Sequence, residues 1–324
     1  MASQTTPQKV WTVLELITWS TNHLQEKKFD EARLTVELML AHALSMKRIQ
    51  LYLNFDKPLK PEELAAFKVL FKRRLAHEPV QYILGRTDFM GLPFEVDSRV
   101  LIPRPETEVL VEQTVRLCKE LRSPGESVSL LDIGTGSGCI AVSCAKLIAD
   151  AHVTALDVSA EAIDAARANA ERNGVSISFS LADVFSQNLL CPDAPLQAVR
   201  EPGTAATQDP AHGSPLKNGM FDAIVSNPPY ISRSVYDTLQ PEITQFEPRF
   251  AETDEGDGLT FYRRLAVIGK KLLVNDGFIA VEHAFDQQEA VMAIFADEGW
   301  RSIIPINDYS GNPRCVIARD FSAA

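Results

Sequence analysis

From residue 128 onward, short apolar runs alternate along the sequence with longer segments of helical periodicity. The predicted strands are 128–133, 152–157, 176–183, 221–226 and 277–283, and the predicted helices are 138–149, 159–174, 258–273 and 286–299. Strands that alternate with helices form a mostly parallel sheet covered on both faces. The pattern therefore predicts an α/β fold whose ligands bind beyond the carboxyl ends of the strands. Two final runs, 301–306 and 314–320, are predicted to form an antiparallel edge.

The first 80 residues have a purely helical pattern, with apolar residues at steps of three and four. Pro61 marks the start of one helix, whose last turn carries cations. The expected helical stripe contains Val10, Leu14, Ile17, Thr18, Leu34, Leu38 and Ala41. We therefore predict a helical bundle domain at 1–80, a linker with a β-hairpin at 81–105 and a second domain at 106–324.

Residues 186–219 interrupt the alternation with a run rich in Pro, Gly, Ala and Gln. Loop closure costs only about 0.6 kcal/mol per doubling of loop length, so a fold can accept such a segment. We expect a flexible insertion here, and a lid over a binding site is the alternative.

Charge and composition narrow the classes of function. The net charge of −11 divides into +3 over residues 1–85 and −14 over residues 86–324. Because nucleic-acid affinity depends on Lys and Arg contacts, we expect no stable nucleic-acid binding. Five cysteines without a CxxC pair, and six histidines without helical pairing, indicate neither a disulfide framework nor a metal site. With no membrane-length apolar run, we expect a cytoplasmic protein, by default a monomer.

Three glycines lie between the first predicted strand and its helix, in LLDIGTGSGCIA (residues 130–141). Glycine permits a tight turn and a close approach of a ligand, and the helix that follows offers unpaired N–H groups. A GxGxxG dinucleotide fingerprint fails because its third glycine falls on Cys139, and no P-loop lysine follows. The acid-x-Gly-x-Gly-x-Gly pattern resembles the first motif of class I S-adenosylmethionine (SAM) methyltransferases, a Rossmann-like fold.

Two acidic residues follow the next strands. Asp157 ends the second strand, where a carboxylate can accept both hydroxyls of a ribose. Asp183 follows the third strand, where it can accept from an adenine amino group while Val184 flanks the ring. Asp132 either meets the ammonium group of the cofactor or anchors the glycine loop. The ordered set predicts SAM as the cofactor.

The fourth strand ends in Asn227-Pro228-Pro229-Tyr230. This motif resembles the signature of enzymes that methylate planar amide or exocyclic amine nitrogens. The amide nitrogen is a weak nucleophile, so an enzyme gains by accepting hydrogen bonds from both its hydrogens and aligning it with the methyl donor. The Asn227 oxygen and the Pro228 carbonyl, held by the stiff Pro-Pro pair, can be these acceptors, and Tyr230 can pack on the flat group.

Further segments resemble the release factor N(5)-glutamine methyltransferase family, HemK/PrmC, over almost the whole chain. They are EPVQYILG (78–85), FMGLPFEVD (89–97), VLIPRPETEVLVE (100–112), DGLTFYRRL (257–265) and DYSGNPR (308–314). The resemblance implies methylation of the glutamine in the Gly-Gly-Gln motif of a class I peptide chain release factor, docked with the help of the helical domain.

The resemblance, together with the acids that follow the strands, gives one set of residues that would contact SAM. The resemblance gives another set that would contact the glutamine. The SAM set is Asp132, Gly134, Thr135, Gly136, Ser137, Gly138, Asp157, Asp183, Val184 and Asn227, and the glutamine set is Asn227, Pro228, Pro229 and Tyr230. The alternatives are an N6-adenine or other exocyclic-amine nucleic-acid methyltransferase acting on a flipped base, a ribosomal-protein glutamine methyltransferase, and a non-catalytic SAM-binding protein.

Overall fold

A computed structural model of the chain describes residues 10–123, 125–186, 189, 216 and 219–321. The chain divides into two compact units, Met1–Gly85 and Arg86–Ala324. The predicted insertion at 186–219 lies outside the described residues, apart from Ser186, Leu189, Leu216 and Gly219.

The first unit is helical, as predicted. Its helices are α1 Val13–Glu26, α2 Ala32–Ala43, α3 Arg48–Tyr52, α4 Pro61–Leu75 and α5 Val80–Leu84. Helix α1 begins with a capping box, in which the Thr12 hydroxyl accepts from the backbone N–H of Glu15 and the Glu15 carboxylate accepts from that of Thr12. The core of this unit includes Val36, Met39, Leu40 and Phe67.

The stripe predicted for the first helix is partly wrong, and its first member, Val10, precedes α1. Val10 and Leu14 are 66% and 42% exposed, whereas Val13, Leu16 and Ile17 are buried. The buried stripe continues through the polar residues Ser20 and Thr21. The prediction used apolar residues only, so Ser20 and Thr21 were not recognised as part of the buried face of the helix.

The second unit begins with an antiparallel hairpin, β1 Arg86–Phe89 and β2 Leu92–Glu95. Its main sheet has the strand order β5-β4-β3-β6-β7-β9-β8. The strands are β3 Val128–Ile133, β4 Ala151–Asp157, β5 Ser178–Leu181, β6 Phe221–Ser226, β7 Leu273–Glu282, β8 Trp300–Asn307 and β9 Pro313–Phe321. Strands β3 to β7 are parallel, and β9 runs antiparallel between β7 and β8, so the predicted final antiparallel pair is confirmed.

The second unit also contains helices. They are α6 Thr107–Leu121, α7 Cys139–Leu147, α8 Ala160–Asn173, α9 Arg233–Tyr236, α10 Pro241–Phe246, α11 Arg249–Glu252, α12 Thr260–Leu272 and α13 Gln288–Asp297. Every residue of β6 is buried, as expected of a central parallel strand.

The strand order reverses at β3, which lies between β4 and β6. In an α/β sheet this switch point opens a crevice at the carboxyl ends of the strands. Asp132 in β3 is paired with Val225 in β6, so the loop that follows β3 lies beside the segment that follows β6. The fold therefore brings the glycine loop and the Asn-Pro-Pro motif to one edge.

Candidate active site

A cleft of about 750 Å³, partly open to solvent, lies at this edge. Of the residues predicted for the site, those that line it are Gly134, Gly136, Asp157, Asp183, Val184, Asn227, Pro228 and Pro229. Asp132, Thr135, Ser137, Gly138 and Tyr230 do not belong to its lining.

The glycine loop has two faces. Gly134 and Gly136 have positive φ values of 75° and 53°, and a β-carbon added at either would meet open space. Both glycines line the cleft, so their bare backbone leaves room for a ligand. Gly138 has a structural role instead, because a β-carbon there would lie 3.0 Å from the Cβ of Ala166 in α8.

Asp132 anchors the glycine loop from beneath. Its Oδ2 accepts from the Thr135 hydroxyl at 2.7 Å and from the Ala141 N–H at 3.2 Å. Asp132 is fully buried, and its Oδ1 has no hydrogen-bond partner among the described residues. Burial raises the pKa of this carboxyl to about 7, which the two hydrogen bonds oppose. Of the two sequence interpretations, the anchoring one matches its contacts.

Asp157 joins the glycine loop to β4. Its two carboxyl oxygens accept from the backbone N–H groups of Gly136 and Ser159, each at 2.9 Å. Burial raises the pKa of Asp157 against the effect of these bonds. A carboxylate has about four acceptor sites, so this side chain can still accept hydroxyl groups from a ligand in the cleft.

The third side of the cleft follows β5. Asp183 is exposed and accepts from the N–H of Phe185 at 2.8 Å. Val184 is buried, and its carbonyl accepts from Arg264 of α12 at 2.7 Å. Phe261 also lines the cleft and stacks edge-on against Phe185 at 5.0 Å. This side therefore offers an apolar wall with one carboxylate at its rim.

Asn227 directly follows the last residue of β6 and lines the cleft. Its side-chain nitrogen donates to the Thr107 hydroxyl at 3.2 Å, and its side-chain oxygen and the Pro228 carbonyl have no partner in the described part of the chain. The Ser226 hydroxyl donates to the Ile133 carbonyl at 2.7 Å and ties β6 to β3. Two carbonyl-type acceptors are thus available next to each other on a braced segment.

Tyr230 supports this segment from outside the cleft. Its carbonyl accepts from the Gln287 side chain at 2.9 Å. The Tyr230 ring packs against the core of the sheet, and burial raises the pKa of its phenol. Tyr230 therefore stays protonated at neutral pH.

A wall of the cleft that our motif assignments missed comes from Arg99, Val100 and Leu101 on one side and Pro248, Phe250 and Ala251 on the other. Arg104 joins these segments, since it donates to Glu247 at 2.5 Å and to Glu252 at 3.2 Å. Glu247 also accepts from the Ile102 N–H at 3.1 Å. Burial raises the pKa of Glu252 to about 7, although Arg104 lowers it. The only sequence signal for this wall was the family-like segment at 100–112.

The described residues were also compared with two other features, a membrane-spanning helix and a metal-binding group. None of the helices among them combines the length and apolar composition that crossing a bilayer requires. Those residues also contain no group of three or more His, Cys, Asp or Glu side chains placed to hold a metal ion.

The fold and the cleft define the class of protein: a class I methyltransferase fold with a helical N-terminal unit. Residues 110–191 match the family described as the Methyltransferase small domain. Residues 15–85 match the PrmC N-terminal domain.

Whole-chain comparisons show the particular family. The chain is 39% identical over 311 residues to the release factor glutamine methyltransferase of Geobacter sulfurreducens. This alignment covers 96% of this chain and 98% of that protein. It is 43% identical to the protein of the same name from Chlorobaculum tepidum, over 85% of this chain and 86% of that protein. The Rhodopirellula baltica protein of that name is 35% identical, over 97% of this chain and 98% of that protein. The chain belongs to the release factor glutamine methyltransferase family.

Proposed function

We propose that the chain transfers a methyl group from SAM to the side-chain amide nitrogen of a release factor glutamine, the one in the Gly-Gly-Gln motif of class I release factors. The observation that carries this proposal is the orientation of Asn227. With its nitrogen engaged by Thr107, its oxygen and the Pro228 carbonyl are the two acceptors that an amide NH2 requires.

The cleft fits the cofactor. Bare glycine backbone at 134 and 136 makes room for a ligand, and no side chain fills that space. Asp157 would accept the ribose hydroxyls, while Val184 and Phe261 would flank the adenine, with Asp183 at the amino group. Bound SAM supplies an electrophilic methyl group on a positively charged sulfur.

The residues after β6 would bind and orient the glutamine. Holding both amide hydrogens fixes the plane of the amide and aims its nitrogen at the methyl group. Removal of a preorganised polar contact of this kind typically costs about 2 to 4 kcal/mol of barrier. Tyr230 stays neutral because of its raised pKa, so it would contribute packing rather than proton abstraction.

Charge supports a protein substrate over a nucleic acid. Residues 86–324 carry a net charge of −14, which repels a phosphate backbone. A nucleic-acid methyltransferase needs Lys and Arg contacts to its substrate, so we place that alternative second.

The decisive test is a transfer assay with labelled SAM and a class I release factor. We expect label in the wild-type factor and none in a factor whose Gly-Gly-Gln glutamine is replaced by alanine. A duplex DNA and a ribosomal protein serve as competing substrates. Equal labelling of the alanine variant, or label only in the competitors, would overturn the proposal.

A further inference from the structure

Phe250 lines the cleft, although no sequence motif identified it. It belongs to α11, and its side chain is 51% exposed. A single exposed aromatic residue on a protein surface needs no explanation. Phe285 is such a residue, because it is 67% exposed and is not among the described residues that line the cleft. Phe250 differs, since its exposed surface borders a binding site.

Helix α11 lies against the end of the Asn-Pro-Pro-Tyr motif. The N–H of Ile231, which directly follows the motif, donates to the carbonyl of Glu252, the last residue of α11, at 2.9 Å. Ile231 also forms a parallel bridge with Thr253. The residues assigned to ribose and adenine follow β4 and β5, which β3 separates from β6 in the sheet. Phe250 therefore belongs to the part of the cleft that would receive the glutamine.

The segment 247–252, which carries Phe250, is held at both ends. Arg104 donates to Glu247 at 2.5 Å and to Glu252 at 3.2 Å. Glu247 also accepts from the Ile102 N–H at 3.1 Å, and both glutamates are buried. Because these bonds tie the segment to residues 102–104, the wall between them resists displacement when a larger substrate enters.

We propose that Phe250 is a specificity-determining residue, whose ring packs on the backbone of the substrate residue that precedes the glutamine and restricts that residue to glycine. The inference rests on the proposed function, and it names the part of the Gly-Gly-Gln motif that this wall of the cleft recognises.

The length of a glutamine side chain brings the substrate backbone to this wall. Four bonds separate the amide nitrogen of a glutamine from its own Cα, a distance of at most about 5 Å. With the amide held by Asn227 and the Pro228 carbonyl, the backbone beside the glutamine runs along the surface of the cleft, which includes Phe250.

The motif places a glycine directly before the glutamine, and this choice matches a braced aromatic wall. The flat face of a ring packs closely on a glycine peptide, which has no β-carbon. A β-carbon at the same substrate position would meet a ring that the hydrogen bonds of Glu247 and Glu252 keep in place.

The test measures selectivity between two substrates, a class I release factor and a variant of it with alanine in place of the glycine next to the glutamine. One methyl group in a shaped pocket changes kcat/KM by about 10- to 200-fold, and we expect the wild type to prefer glycine within that range. Phe250→Ala should reduce this preference about tenfold, whereas Phe250→Leu should retain most of it. Phe285→Ala is the matched control and should keep the wild-type preference.

A second readout separates contact with the substrate from contact with the cofactor. Phe250→Ala should raise the KM for the release factor about tenfold through loss of the aromatic contact, with SAM affinity unchanged in calorimetry. SAM binding also shows that each variant is folded. Should Phe250→Ala not bind SAM, Phe250→Val takes its place in the selectivity comparison.

The possible failures can be told apart. If the wild type labels the release factor but Phe250→Ala keeps the full preference for glycine, this inference fails and the proposed function stands. The same holds if the wild type labels the alanine variant as fast as the glycine form. Lower SAM affinity in the folded Phe250 variant with unchanged selectivity would place the ring at the cofactor and overturn the inference. A wild type that labels no release factor would overturn both proposals.

Discussion

Gly258 lies directly against the carbonyl oxygen of Tyr230, and a β-carbon built on the glycine would overlap that oxygen. The same β-carbon would lie 2.8 Å from the Gln287 nitrogen that bonds the Tyr230 carbonyl. The loop before α12 therefore fixes the backbone that follows the Asn-Pro-Pro motif. Ile231 adds to this brace by donating to the Glu252 carbonyl at 2.9 Å.

Gly258→Ala should displace this backbone. Gly258 has a φ of 80°, which costs an alanine about 1 to 2 kcal/mol, and the overlap adds a similar cost. We expect lower stability in urea and loss of methyl transfer. Gly256→Ala is the matched control, because its nearest contacts would be an ordinary 3.4 Å. Full activity in Gly258→Ala would show that the brace is dispensable.

Asn227→Ala should remove one of the two amide acceptors. The expected loss in kcat is about 30- to 1,000-fold, equivalent to roughly 2 to 4 kcal/mol of barrier. Calorimetry should find SAM affinity changed far less than kcat. An Asn227→Ala enzyme with wild-type turnover would be inconsistent with the assigned role.

Asp157→Ala should weaken SAM binding. Hydrogen bonds to a charged group contribute about 1.5 to 3 kcal/mol, so we expect affinity to fall by roughly 10- to 100-fold in calorimetry. Asp297→Ala is a suitable control, because Asp297 is exposed at the end of α13. Unchanged affinity in Asp157→Ala would remove this residue from the cofactor site.

Substitutions at two glycines of the loop should have separable effects. Gly134→Ala places a methyl group in the cleft and should weaken SAM binding at a stability cost of about 1 to 2 kcal/mol. Gly138→Ala should cost more stability, because its β-carbon also meets Ala166 at 3.0 Å. Urea unfolding and calorimetry on both variants give the comparison. Equal stability losses would contradict the close packing of α7 and α8.

Glu252 should make stability depend on pH. Its pKa is about 7 in the folded protein and about 4.5 in the unfolded chain, so its contribution to stability is present below pH 4.5 and is lost as pH rises through 7. The free energy of unfolding of Glu252→Gln should therefore rise by about 2 kcal/mol relative to that of the wild type as the pH increases from 5.5 to 8. Urea unfolding at both pH values measures this.

The control is Glu255→Gln. Glu255 is exposed and pairs with Arg249, which lowers its pKa, so its titration lies below this pH window. An equal pH dependence in both glutamine variants would show that burial of Glu252 is not its cause.

The family, the fold class and the alternation of strands and helices were predictable because each rests on local patterns. Motif residues at strand ends, such as Asp157 and Asn227, follow from the rule that parallel strands end at one edge. Gly138 shows where this reasoning stops. Gly134 and Gly138 belong to the same motif, and only packing against α8 distinguishes the structural glycine from the one that lines the cleft.

Contacts between distant segments were not predictable. Arg104 and Glu247 are 143 residues apart, and Thr107 and Asn227 are 120 apart. No periodicity or spacing relates such pairs, because their proximity depends on how α6 and the segments after β6 pack on the sheet.

The most direct test of the central claim is a structure of the chain with S-adenosylhomocysteine and a class I release factor. The account predicts that the glutamine amide nitrogen lies about 3 Å from both the Asn227 Oδ1 and the Pro228 carbonyl oxygen. A glutamine bound elsewhere, or an Asn227 nitrogen facing it, would contradict the account.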